Sequence, residues 1–157
     1  MHCEQARGIA DINYIWCRWL HPMGIPGTYA SALRNQEGVL RLRDMMALRD
    51  YKRPARNQQR ASLVIPTYGR DDLVLKCVSS MLQNGEGRGV EVVVAEDAAH
   101  VDCGWLLAYF LPGARLLRND RNLGFLRNCN AAVSTCKAPV VLLANNDMVF
   151  RPGRLTH

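Results

Sequence analysis

The sequence predicts an α/β architecture: a mostly parallel sheet flanked by helices and preceded by a helical N-terminal segment. Two observations predict it. From Ala61 onward, short apolar runs alternate with amphipathic stretches of helical length, and three of those runs end in a polar cluster: Pro66-Thr67-Tyr68, Glu96-Asp97 and Asn145-Asn146-Asp147. Strands alternating with helices at this spacing argue for right-handed βαβ units and parallel strands. Parallel strands end at one edge of the sheet, and that edge is where open α/β folds bind ligands.

Taken in order, residues 1–30 are broken by His21-Pro22, Gly24, Pro26 and Gly27. Ala30 to about Tyr51 reads as a helix with Leu33, Leu40, Leu42, Met45, Met46 and Leu48 as its apolar positions. Lys52 to Arg60 reads as a polar linker, which places the start of the folded domain near Ala61. Residues 1–60 are therefore expected to be a basic helical segment and linker, and 61–157 an α/β domain.

The first strand is Ser62 to Ile65. Asp71 or Asp72 then caps a helix whose apolar stripe is Leu73, Val74, Cys77, Val78, Met81 and Leu82, ended by Asn84-Gly85 and Gly87. The second strand is Glu91 to Ala95. A short helix carries Trp105, Leu106, Leu107, Tyr109 and Phe110 before Pro112-Gly113, and a brief strand spans Ala114 to Leu117. A helix from about Phe125 to Thr135 leads to the last strand, opened by Ala138-Pro139.

At 157 residues the chain is long enough for one ordinary domain and a short appendage. Its 48% hydrophobic and 22% charged residues fit a soluble globular protein. No stretch approaches the roughly 20 consecutive apolar residues of a membrane helix, and Met1-His2-Cys3-Glu4 does not open a secretory signal. The expectation is a cytoplasmic protein. The six cysteines form no C-x-x-C pair, so zinc ribbons and dithiol redox sites are poor readings and reduced thiols the better one.

The net charge of +6 is uneven: ten basic and five acidic residues fall in 1–60, against ten and nine in 61–157. Arg41, Arg43, Arg49, Lys52, Arg53, Arg56 and Arg60 carry the excess. Such a segment can meet the phosphates of lipid or nucleic acid, although a solvated helix face is the ordinary reason for it. No aromatics interleave with these arginines, so nucleic acid is not an expected partner. A peripheral contact with the inner face of a membrane is.

The three polar clusters hold an aromatic, an acid pair and a lone carboxylate. Together these suit a base, a sugar and a metal-bound diphosphate, which is the chemistry of a nucleotide-sugar site. The Tyr68 ring can stack on a pyrimidine, where about 1–3 kcal/mol is available, while Pro66 fixes φ in the loop. Without its neighbours Tyr68 would read as a loop anchor. Asp97 can accept an imide N–H or a ribose hydroxyl, whereas turn formation is the common alternative. Asp147 is the natural ligand for Mg²⁺ or Mn²⁺, which take one or two carboxylates plus substrate phosphates. Asn145 and Asn146 offer amides to ribose or phosphate; a plain polar turn is the alternative. A helix start near Gly124 would aim N–H groups at an anion, and Arg127 can pair with phosphate or equally form a surface ion pair. A dinucleotide-binding reading fails because no G-x-G-x-x-G follows the first strand. The four histidines form no ligand pair.

Val64-Ile65-Pro66-Thr67-Tyr68-Gly69-Arg70, Glu91 to Asp97, Arg118 to Phe125 with Asn130, and Leu142 to Asp147 together resemble the N-terminal half of a family 2 glycosyltransferase of the GT-A fold, over about the final three-fifths of the chain. The N-N-D triplet stands in place of the family's D-x-D and is similar to that of rhamnosyltransferase-like members. The resemblance implies an inverting, metal-dependent transfer of a sugar from a UDP- or dTDP-sugar to a hydroxyl of a glycan, lipid-linked or protein acceptor. It implies that Pro66, Tyr68, Asp97, Gly124, Arg127, Asn145 and Asn146 bind the donor nucleotide, with Asp97 reading the base, and that Asp147 holds the metal. Gly69 and Ala98-Ala99 depart from the family's Asn and Gly-Ser. The general base belongs to the family's second half, so no catalytic residue is assigned. The expectation is a truncated, inactive fragment with an open sheet edge and an uncovered apolar face. The rival is a non-catalytic nucleotide-binding or scaffolding module.

Overall fold

A computed structural model describes residues 42–99 and 104–153. Contacts divide the chain into Met1–Asp44 and Met45–His157. Within the first unit, only the opening residues of a helix, Leu42 to Asp44, are described. The expected helix from Ala30 is seen only as α1 (Leu42–Asp50); its earlier part lies outside the described residues.

Among the described residues, the second unit is a four-stranded, all-parallel sheet. Its elements are β1 (Ala61–Thr67), α2 (Asp71–Gln83), β2 (Val90–Glu96), α3 (Gly104–Phe110), β3 (Arg115–Arg118), α4 (Phe125–Ser134) and β4 (Val140–Leu143). The strand order is β3-β2-β1-β4. The chain thus steps outward twice from β1 and then returns to its other side, and the right-handed crossover rule places α2 and α3 on one face and α4 on the other. The reversal between β1 and β4 is the switch point at which such sheets open a crevice.

β1 and β2 are buried on both faces, as central parallel strands must be. On the α4 side Val64, Val93, Ala95 and Ala132 form a core joined by Leu117, Val133 and Cys136. α2 buries Val74, Cys77, Val78 and Met81 of its expected stripe, together with Leu75, Ser79 and Asp71, while Leu73 and Leu82 are only half-buried.

β1 runs two residues further than expected and includes Pro66. A proline in a central strand lacks a ladder donor. Here the Ala144 N–H meets the Val64 carbonyl at 3.0 Å, and pairing with β4 ends at Val64. Alternate residues face the same neighbour, so the Pro66 nitrogen faces the β4 side beyond the last paired residue, where no donor is required.

The compact unit starts ahead of the expected boundary at Ala61, at Met45. Leu48 is fully buried, whereas Met46 is exposed. The Tyr51 hydroxyl donates to the Val90 carbonyl (2.8 Å) and accepts from the Val92 N–H (3.0 Å). Those groups face the β3 side, where pairing begins only at Val93. A side chain thus stands in for the missing start of β3, and burial pushes its phenol up to about 12. Gly113 permits the approach, because a Cβ there would lie 2.3 Å from the Tyr51 carbonyl oxygen.

β4 is an outer strand, and Val140, Val141 and Leu143 on it are exposed. The open edge and uncovered apolar surface expected from the sequence are thus present among the described residues.

Candidate functional site

A cavity of about 420 Å³ lies at the C-terminal ends of β1, β2 and β4. Pro66, Thr67 and Tyr68 line it from β1, Asp97 from β2, and Asn145, Asn146 and Asp147 from the turn after β4. Asn122, Gly124, Phe125 and Asn128 form the remaining wall. Parallel register delivers the three junctions together: Thr67 lies beside Glu96, and Val64 beside Leu143. Seven of the eight sequence-predicted site residues border this space. Arg127 is exposed and is not among the lining residues.

The acid pair is divided by the alternation of strand side chains. Glu96 is buried and takes the Arg118 guanidinium at 2.8 Å, its cross-strand partner in register. Asp97 is the acid that reaches the cavity, and it is also buried. Its Oδ1 accepts from Asn119 Nδ2 and the Leu123 N–H, both at 2.8 Å, and its Oδ2 accepts from the Gly124 N–H at 2.8 Å. The carboxylate therefore pins the 119–124 loop, with two donors on Oδ1 and one on Oδ2. Gly124, at φ 78, is the N-cap of α4, and its N–H is shared with Asn122 Oδ1 at 2.8 Å. The anion expected at this helix start is thus met by Asp97 itself.

Asn128 in this wall, and Asn119 hydrogen-bonded to it from behind, were not read from the sequence as functional. Asn128 is buried, donating to the Ala95 carbonyl (2.9 Å) and accepting from Asn119 Nδ2 (2.9 Å). Asn119 also donates its N–H to the Glu96 carbonyl at 3.0 Å. Asn130, the asparagine singled out by the resemblance, is exposed. Helical periodicity carries the missing signal: Asn128 shares a face with Cys129 and Ala132, both buried, and Asn130 does not.

Ala98, directly after Asp97, has φ 53, a left-handed conformation that favours glycine. The departure from glycine noted in the sequence thus falls where the backbone would most readily accept one. A Cβ at Gly69 would lie 3.3 Å from Ala99 Cβ, so the loops after β1 and β2 are in close contact.

Tyr68 is 49% exposed, leaving its ring available to a ligand. In the β4 turn, the Met148 N–H closes on the Asn145 carbonyl at 3.2 Å, and Asn146 Nδ2 reaches Thr67 Oγ1 at 3.4 Å. Asp147 is left exposed at the cavity. Beneath it the Cys77 thiol is pushed up to about 12, by burial first and by the Asp147 charge second. No group of three His, Cys, Asp or Glu side chains gathers among the described residues. One free carboxylate flanked by two amides fits a divalent ion that is also held by a ligand's phosphates, not one caged by protein alone.

The sequence profile described as "Glycosyl transferase family 2" matches residues 62–157. The chain is 35% identical over 95 residues to the uncharacterized protein MT1568 of Mycobacterium tuberculosis (strain CDC 1551 / Oshkosh), which covers 60% of this chain and 30% of that one. Among solved structures it is similar to the mannosyltransferase PcManGT from Pyrobaculum calidifontis in complex with GDP-Man and Mn2+. The TM-score is 0.50 and the identity 19%, over 69% of this chain and 34% of that one. It also resembles S. aureus TarS in complex with UDP, at TM-score 0.47 and 20% identity, over 57% of this chain and 28% of that one. The chain thus spans about a third of the length of these proteins, or less.

Proposed function

Because the chain belongs to glycosyl transferase family 2, we propose that its switch-point cavity binds a nucleoside-diphosphate sugar for transfer to a hydroxyl acceptor. The observation that carries this reading is the convergence of Tyr68, Asp97 and Asp147, from three separate strand ends, on one cavity.

In this reading Tyr68 stacks on the base, with Pro66 holding the loop in shape. Asp97 is acceptor-only, so it reads an N–H such as the imide of uracil or thymine through the lone pairs its loop donors leave. Asn145 and Asn146 contact ribose or phosphate, Gly124 lets the backbone approach, and Arg127 meets the diphosphate from outside the described cavity wall. Asp147 holds a divalent cation brought with the diphosphate. A bound Mg²⁺ or Mn²⁺ would neutralise charge on the departing diphosphate. The fold neighbour that contains GDP-Man and Mn2+ supports this choice of ligand and ion. We take transfer to be inverting, as in rhamnosyltransferase-like relatives with an N-N-D triplet, to a glycan, lipid-linked or protein acceptor, in the cytoplasm or at the inner membrane face.

A second reading has an observation of its own. Direct displacement requires a base to take the acceptor proton. Among the described residues lining the cavity the carboxylates are Asp97, engaged by three hydrogen bonds, and Asp147, assigned to the metal. This 157-residue chain alone is therefore expected to bind donor and to turn it over slightly if at all, as a donor-binding portion or a nucleotide-binding module.

Calorimetric titration of UDP, dTDP and GDP, with and without Mn²⁺, tests the site. Metal-dependent binding that Asp147→Ala abolishes supports the proposal. Binding that is absent, or indifferent to both metal and substitution, would overturn it. Hydrolysis of the donor sugar measured beside binding separates enzyme from module.

A further inference from the structure

A parallel sheet has two unlike edges. One carries the cavity; the other gathers cations from separate stretches of chain. Arg60 directly precedes β1, Arg88 lies two residues before β2, and Lys137 three before β4. Register sets Ala61 beside both Val90 and Val140, so these three strand starts are neighbours. The Arg60 N–H donates to the Gly89 carbonyl at 2.8 Å, and Arg56 sits on the short 3₁₀ turn Arg56–Gln58 that leads to it. Lys52 and Arg53 follow Tyr51, whose hydroxyl is fixed at the start of β2.

All six side chains are exposed, and among the described residues none forms an ion pair with a carboxylate. The acids that flank the start of β2 are buried, whereas Asp50, two residues before Lys52, is exposed. Glu86 is 4% exposed, and Glu91 is 5% exposed and lies 3.2 Å from the Arg115 guanidinium. Residues 51–61 and 135–140 contain no acid. Charges of one sign along one edge sum to a field that a single surface cation does not produce.

We infer that this edge is a docking surface for an anionic bilayer, with headgroup phosphates as its counterions. Two observations favour lipid over nucleic acid. Tyr51 is buried and residues 52–61, 84–90 and 135–140 hold no other aromatic, so no ring is presented for base stacking. Pro139 and Val140, both exposed, adjoin Lys137 and supply apolar surface at the headgroup boundary. In this orientation the opposite edge, with the cavity, faces water, from which a soluble nucleotide arrives. The inference uses no residue of the cavity and stands apart from the nucleotide reading.

The test is co-sedimentation of the full chain with vesicles of phosphatidylcholine, alone or with phosphatidylglycerol, at increasing NaCl. The expected result is binding to the anionic vesicles alone, weakening with salt. Substituting Arg56→Gln, Arg60→Gln, Arg88→Gln and Lys137→Gln should each lower partitioning by about fivefold, with cumulative loss in the combined variant. Urea midpoints verify folding, and single variants serve if the combined one does not fold. Equal binding to neutral vesicles, undiminished binding by the variants, competition by inorganic phosphate at matched ionic strength, or a tighter complex with RNA homopolymer would each overturn the proposal.

Discussion

Asp97 Oδ2 lies 2.8 Å from the backbone nitrogen of Gly124, so the carboxylate at the end of β2 also anchors the start of α4. The side chain that borders the cavity is thus a structural tie, and the two roles separate by measurement.

Asp97→Asn should lower stability by about 2–3 kcal/mol, because the amide turns an N–H toward backbone donors and removes the charge that strengthens these bonds. Urea denaturation checks this. An unchanged midpoint would show that the loop does not depend on the carboxylate, and weakened nucleotide binding could then be assigned to lost base reading alone.

Tyr68→Ala and Asp147→Ala act on exposed side chains, so each should leave stability within about 0.5 kcal/mol. Their binding signatures should differ. Tyr68→Ala loses about 1–3 kcal/mol of affinity with or without metal, whereas Asp147→Ala removes the metal-dependent increment and leaves metal-free binding in place. Titration calorimetry in the two buffers distinguishes them.

Tyr51→Phe deletes the hydroxyl that serves Val90 and Val92 and should cost about 1–3 kcal/mol, since two buried backbone groups lose their partner. The phenol also makes stability pH-dependent. Its folded value, about 12, stands above the ordinary 10, so its contribution is complete below pH 10 and is lost as pH climbs toward 12. Urea midpoints of the wild type should fall across that window more steeply than those of Tyr51→Phe.

Ala98→Gly should raise stability by about 1 kcal/mol, because glycine adopts φ 53 without the Cβ penalty. The gain is partly offset by the freer unfolded chain. A lower thermal midpoint would show that the Ala98 methyl contributes more by packing than its backbone costs.

The alternation of strands and helices was legible because each apolar run is short and each helix carries a clear stripe, as Val74, Cys77, Val78 and Met81 do in α2. Six of the eight expected residues border one cavity because strand ends in a parallel sheet converge by topology, and Gly124 joins them from the start of α4. What stayed hidden depends on contacts far apart in sequence. Tyr51 reads as the end of a helix, and nothing nearby announces a partner 39 residues away. Pro66 falls in the expected loop, because a proline's place in a strand depends on where pairing with its neighbour ends, here at Val64. The division of Glu96 from Asp97 depends on which acid faces Arg118, and no neighbouring residue encodes that. Asn128 was distinguishable from Asn130 by helical phase, a signal present but unused.

The Tyr51 bridge bears on where this polypeptide can be cut. An expression clone begun at residue 62, where the family profile starts, would discard the hydroxyl that closes β2 and bare two hydrogen-bonding groups on an apolar strand. Such a product invites stacking with its own copies and recovery from inclusion bodies. A clone begun upstream of α1 keeps the strand shielded and is the sounder starting material for crystals or titrations.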